Sequence, residues 1–330
     1  MRQTTFAGPV GPMTFGQILD RTYRLTRANL RLFVAIAAVP VGVFIVILAA
    51  MEAAFFLPII RQFPKPPAPE SIAHLFNLAV VVPSFVLFTV LQGTIFALYL
   101  AAAIHAATQA NRGFATSFRD AYAVAWSRAG RYLGLLFLIY LLTFLPALVI
   151  ELAMVGGFGL LAHWKPDQDP AALFLLIPLG MLLFLAAFVY GALMGLRLSL
   201  AFPASVVEGL PARAALKRSG HLTQGAKGRI FLVLLVVYAV LYALVMVFEF
   251  AAMFLAAIGF LAASALQIHL APPWSYIAIG FAALCAFAAF FLYTALSWAS
   301  LTSALAVLYH DQRLRIDGPL PSPLQPGEPA

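Results

Sequence analysis

The sequence predicts an all-α, polytopic membrane protein with six transmembrane helices. Three observations carry this. The 330 residues are 63% hydrophobic and only 10% charged, with a mean hydropathy of +0.97, whereas a soluble domain carries roughly 25% charged residues. The apolar residues come in unbroken runs longer than the ~18–20 that cross a bilayer as a helix. The runs are continuous rather than alternating, so helices, not barrel strands, satisfy the backbone in lipid. An ordinary soluble enzyme and a disordered chain are both excluded.

Taken in order, residues 1–13 contain Gly8, Pro9, Gly11 and Pro12 and read as a flexible lead. Thr14 with Gln17 three residues on reads as a capping box. Behind it, Ile18, Leu19, Thr22, Leu25 and Ala28 recur at helical spacing, beside a basic stripe of Arg21, Arg24, Arg27 and Arg31. Span one follows at 32–58 and span two at 75–108, joined by a proline-rich loop from Gln62 to Ser71. A second short helix begins at Ser117, with Asp120 at its third position, and leads into spans three (132–162) and four (172–206), joined by His163 to Pro170. A third short helix opens at Pro211, suited to a first turn, and stops near Gly225. Spans five (230–268) and six (276–309) close the membrane domain, which covers 14–317, and residues 318–330, with five prolines, read as a disordered tail. Pro40, Pro83, Pro146 and Pro178 fall inside spans, which membrane helices tolerate at the cost of a kink.

Lysine and arginine set the orientation. Seventeen lie on the side of the termini and three, Arg61, Lys65 and Lys165, on the other; the twelve acids divide six and six. The positive-inside rule places both termini in the cytoplasm. The same split explains the net charge of +8 without nucleic acid, since no polar segment is long enough for a nucleic-acid domain. The first 31 residues lack the apolar core of a cleavable signal peptide. The single cysteine, Cys285, lies in an apolar run and excludes an internal disulfide.

The three short helices align in register. Leu25, Val124 and Leu222 are separated by 99 and 98 residues, as are Thr22, Ala121 and Ser219, and Phe33, Tyr132 and Ile230. The expectation is three parallel repeats, each an interfacial helix followed by a two-span hairpin. Glu52, Glu151 and Glu249 obey the same spacing, each 20 or 21 residues after Arg31, Arg131 or Arg229. At 1.5 Å per residue that is about 30 Å, which puts them at the outer boundary of the hydrocarbon. Two readings stand: a shared site for a cation or an amine-bearing headgroup, or glutamates solvated at the outer interface. Arg197 joins them as a candidate intramembrane polar group, either snorkelling to headgroups or neutralising a partner. Gly191 and Gly195 form a GxxxG in the same span.

Candidates for binding headgroups are Arg21, Arg24, Arg27 and Arg31 on the first short helix, and Arg213, Lys217, Arg218 and Arg229 around the third. Basic side chains there meet the anionic inner leaflet at roughly 1 kcal/mol per charge. No HExxH, Walker A, GxSxG or CxxC motif occurs, so no catalytic residue, metal or cofactor is expected. His74, His163 and His269, with Asp167 and Asp169, read as polar residues of outer segments.

The stretch RLSLAFPASVVEGLPARAALKRSGHLTQGAKGR, from Arg197 to Arg229, carries an arginine, a Pro-Ala, a Val-Glu-Gly, an Ala-Leu-x-Arg-Ser and a glycine before a basic residue, in that order. With TFGQILDRTYRLTRANLRLF at the start and LAVLYHDQRLRIDG at the end, it resembles the bacterial glycerophosphoryl diester phosphodiesterase membrane domain family across most of 14–318. The resemblance implies an integral membrane domain that is sometimes fused to a phosphodiesterase barrel. Only about 20 residues follow span six here, so no catalytic residues carry over. The expected function is a non-enzymatic scaffold or accessory protein touching anionic membrane lipids or a protein partner. The alternative is a transporter or channel for a small solute or lipid.

Overall fold

The computed structural model describes residues 11–60, 78–163, 170–265 and 274–318, and every element among them is helical. In order these are α1 (Phe15–Ala28), α2 (Leu30–Ile60), α3 (Leu78–Asn111), α4 (Phe118–Ser127), α5 (Ala129–His163), α6 (Pro170–Leu198), α7 (Ala201–Val207), α8 (Ala212–Leu222), α9 (Lys227–Ala265) and α10 (Trp274–Asp317). Six of them, α2, α3, α5, α6, α9 and α10, are long and apolar enough to cross a membrane. The chain is thus a multi-pass membrane protein. The lead to residue 10, the tail from 319, most of the outer loops, His74 and His269 lie outside the described residues, as do the side chains of Glu52 and His163.

The helices fall where the sequence places them, with one exception. The fourth span is not continuous to residue 206. It breaks at Ser199–Leu200, and Pro203 sits inside the short helix α7 that follows. The break leaves Arg197 in the last turn of α6.

The chain divides into two compact units. The first contains Met13–Ser127 and Leu232–Val307; the second contains Arg128–Phe231 and the stretch from Leu308 onward. In the first unit α2 packs along α3, and α4 packs on both. Helix α1 touches the same pair, and its Leu19 also packs against Val237, Leu241 and Ala304. Phe96 and Tyr99 of α3 meet Trp298 of α10, with ring centroids 5.3 and 5.2 Å apart. In the second unit α5 packs along α6, and α8 packs on α5, α6 and α7. A β-carbon at Gly180 of α6 would collide with the Met154 side chain of α5, whereas one at Gly195 would meet nothing within 4 Å. At Gly191 a β-carbon would stand 3.6 Å from the Thr143 carbonyl of α5, so within the GxxxG it is Gly191, not Gly195, that faces the neighbouring backbone.

The proline positions explain two otherwise unremarkable tyrosines. Proline has no N–H, so the carbonyl four residues before it loses its helical partner. In hydrocarbon that carbonyl has no water to turn to. Pro40 orphans Ile36, and the hydroxyl of Tyr122 on α4 donates to the Ile36 carbonyl at 2.8 Å. Pro146 orphans Leu142, and the hydroxyl of Tyr190 on α6 donates to the Leu142 carbonyl at 3.1 Å. In each unit one tyrosine thus replaces the missing donor and ties two helices together.

The surfaces of the spans are apolar outward. Met181 and Phe184 are each 70% exposed and Phe188 67%, far beyond the apolar patches a soluble monomer shows. Lipid is the medium that such a surface fits.

Candidate functional site

The short helices are the most polar part of the chain, and each is built as an amphipathic cylinder. In α1 the buried residues are Ile18, Thr22, Leu25 and Thr26, one stripe at the i, i+4, i+7 spacing of a helix face. Thr14 and Gln17 form the reciprocal cap expected of them. In α4 Ser117 and Asp120 make the equivalent exchange, at 3.2 and 3.3 Å between side chain and backbone. Hydrogen bonds from the Ser117 hydroxyl and then its amide hold the Asp120 carboxyl below its usual range. In α8 Ala215, Ser219 and Leu222 are buried, and Pro211 stands at the N-cap, one position outside the helix. Two of the three register sets share this burial: Thr22, Ala121 and Ser219 are all buried, as are Phe33, Tyr132 and Ile230, whereas in the third Leu25 and Leu222 are buried and Val124 is only partly so.

The arginines of these helices divide into two populations. Some are built into the fold. Arg21 donates from Nε to the Asn111 side chain at 2.6 Å and from Nη2 to the Asn111 carbonyl at 3.1 Å, joining α1 to the end of α3. Burial lowers the Arg21 pKa. Arg131 donates from Nη1 to the Gly209 carbonyl at 2.7 Å. Others are exposed: Arg24, Arg27 and Arg31 on α1 and at the start of α2, and Arg213 and Lys217 on α8. Arg24 pairs with Asp20 at 2.9 Å in the open.

A charged node lies in the second unit, where the turn after α7, helix α8, the start of α9 and the end of α10 meet. Arg218 donates from Nε to Glu208 at 3.1 Å and with both Nη atoms to Asp317, a fork matching a carboxylate. These bonds, the one to Asp317 foremost, raise the Arg218 pKa. Arg313 lies 3.7 Å from Asp317 and 4.0 Å from Glu208, and the Tyr309 hydroxyl donates to Glu208. Beside this group Asp311 is 0% exposed, with Arg229 at 3.0 Å and Arg315 at 2.9 Å. The backbone is shaped for the purpose. Gly209 and Gly318 take φ of +70° and +77°, the left-handed conformation that ends a helix.

The end of α6 is held by hydroxyls. The helix break orphans its last carbonyls, and Ser219 and Thr223 of the third short helix donate to the Arg197 carbonyl at 2.7 and 3.3 Å. The Arg197 side chain is exposed and lies over Gly220. Of the glutamates, Glu151 and Glu249 are exposed on α5 and α9, and Glu52 is in α2. Sequence reasoning assigned Arg218 and Arg229 to headgroups and did not anticipate their carboxylate partners. Only the pairing Arg218 with Glu208 had a signal in the chain, their closeness in sequence.

Comparison of the chain with models of known families, with curated proteins and with solved structures found no match.

Proposed function

We propose that this chain is a non-enzymatic integral membrane scaffold or accessory protein of the bacterial inner membrane, whose cytoplasmic face engages anionic lipid headgroups. The observation that carries the reading is the two-sided construction of the short helices. Their buried faces fix them to the spans, and their outer faces carry Arg24, Arg27, Arg31, Arg213 and Lys217 together with exposed Tyr23 and Trp126. Exposed cations beside aromatic rings are what an interfacial helix presents to headgroups. The charge split of seventeen to three supports cytoplasmic termini. The resemblance to the glycerophosphoryl diester phosphodiesterase membrane domain family supports an integral membrane domain.

A threefold repeat belongs to the same proposal. Arg21 bonds to the end of its own hairpin at Asn111, and Arg218 bonds to the end of its own hairpin at Asp317. Together with the matched burial of two of the three register sets, this supports duplication of one unit.

The test is reconstitution into phosphatidylcholine bilayers with graded phosphatidylglycerol, followed by quantifying the lipid retained on extraction. The wild type is expected to enrich phosphatidylglycerol, and the fivefold variant Arg24→Gln, Arg27→Gln, Arg31→Gln, Arg213→Gln, Lys217→Gln to lose that enrichment. No enrichment by the wild type would overturn the reading. The transporter alternative predicts flux into liposomes that Glu52→Gln, Glu151→Gln or Glu249→Gln abolishes.

A further inference from the structure

We propose that Arg197, Arg213 and Lys217 form one binding site for the phosphate of an anionic lipid headgroup, and that Gly220 admits Arg197 to it. The inference rests on the headgroup reading above and gives it an address.

Arg213, Lys217 and Gly220 stand at i, i+4 and i+7 along α8, on the face opposite buried Ala215, Ser219 and Leu222. A helix rises 1.5 Å per residue, so Lys217 is about 4.5 Å and Arg213 about 10.5 Å along the axis from Gly220. The Arg197 guanidinium fills the place that a side chain at 220 would take. A β-carbon there would sit 3.3 Å from Arg197 Nε and 3.8 Å from Nη2. Glycine is unfavourable inside a helix, and in α8 it leaves room for this cation. Three positive side chains from two helices therefore share one exposed face.

Their charge is not cancelled nearby. The neighbouring carboxylates Glu208 and Asp317 are engaged by Arg218 and Arg313, and Asp311 is buried between Arg229 and Arg315. Among the described residues Arg197, Arg213 and Lys217 form no ion pair. The nearby carboxylates are thus all engaged by the node's own arginines, which leaves these three cations for an external anion. The site is also preorganised, because Ser219 and Thr223 hold the Arg197 carbonyl. A guanidinium fork suits phosphate oxygens and lysine adds a point charge. Arg197 stands in the last turn of α6, beside the short polar helix α8.

Native mass spectrometry of the full chain, titrated with phosphatidylglycerol or phosphatidylcholine, tests this. Each surface cation contributes on the order of 1 kcal/mol, or about fivefold. Arg197→Gln and Gly220→Leu are each expected to weaken phosphatidylglycerol binding by about that factor and leave phosphatidylcholine binding unchanged. Gly220→Ala, which adds one methyl and favours the helix, is expected to fall between them and the wild type. Gln224→Ala, an exposed uncharged position after α8, serves as the control and is expected to retain this binding. Phosphatidylglycerol binding by Arg197→Gln equal to the wild type overturns the site while leaving the headgroup reading in place. A wild type that does not distinguish the two lipids overturns both. Inorganic phosphate at millimolar concentration is expected to leave the lipid bound; displacement by phosphate alone would overturn the lipid assignment.

Discussion

Replacing Tyr122 by phenylalanine removes one oxygen atom and exposes the cost of Pro40. In the wild type the Tyr122 hydroxyl donates to the Ile36 carbonyl at 2.8 Å. Without it that carbonyl lies in hydrocarbon with no donor, because residue 40 lacks the N–H that would close the helical turn. Hydrogen bonds between membrane helices average about 0.6 kcal/mol and reach about 1.7. A buried acceptor left unpaired costs about 1–3 kcal/mol. Tyr122 is half-buried, so the expected loss is about 1–1.5 kcal/mol, roughly a tenfold shift in the unfolding constant. The decisive step is the double-mutant cycle with Pro40→Ala. Alanine restores the N–H at position 40, so the Ile36 carbonyl regains its own helix partner and Tyr122→Phe becomes nearly neutral. Reversible unfolding in mixed detergent micelles, followed by far-UV circular dichroism, measures each corner. A Tyr122→Phe cost that is the same with and without Pro40→Ala would mean that the hydroxyl acts independently of the proline and does not stand in for its missing N–H.

Further outcomes follow from the same structure. Asp311→Ala leaves Arg229 and Arg315 facing one another without the buried carboxylate between them. Breaking a buried pair costs about 3–5 kcal/mol, and because both arginines are partly exposed the expected loss is about 2–3 kcal/mol. Asp20→Ala, which removes an exposed partner of Arg24, is expected to cost under about 0.5 kcal/mol in the same assay. Thr14→Ala removes the α1 cap and is expected to cost about 1 kcal/mol, read as faster amide exchange in the first turn. The Asp120 carboxyl is held below its usual 3.8 by Ser117. A depressed folded value gives stability that is present above 3.8 and lost as pH falls through the folded value. Amide exchange in α4 is therefore expected to accelerate on acidification below pH 3.8, and Ser117→Ala to weaken that pH dependence without abolishing it, because the backbone amide at 117 still donates to Asp120.

Much of the fold was legible because a bilayer leaves few options. Apolar runs longer than a membrane thickness become helices, and the spans differ from their sequence boundaries mostly by a few residues. The caps at Thr14 and Ser117 were legible as local chemistry. The break at Ser199 was legible in outline, because Pro203 has no N–H for the Ser199 carbonyl four residues back, so the helix carrying Arg197 stops there and Pro203 falls in the first turn of the next one. The pairing of Tyr122 with Ile36 and Tyr190 with Leu142 was hidden. Proline marks where a carbonyl is orphaned, but the donor comes from 86 and 48 residues away. The arginines were read as one class, since sequence gives their side of the membrane and not their neighbours. Asp311, 82 residues beyond Arg229, is brought to it only by folding. The exposed position of Arg197 over Gly220 likewise needed the geometry of α6 against α8.

Short helices lying in the headgroup layer with their cations outward put Trp126 in that layer too, and its fluorescence reports on this directly. Trp126 is 71% exposed on α4, and the three other tryptophans, Trp164, Trp274 and Trp298, can be replaced by phenylalanine. In bilayers containing phospholipids brominated at graded acyl-chain depths, Trp126 fluorescence is predicted to be quenched most by bromines nearest the headgroup. Quenching dominated by deep bromines would contradict the account, and so would no bromolipid quenching with full access to aqueous iodide.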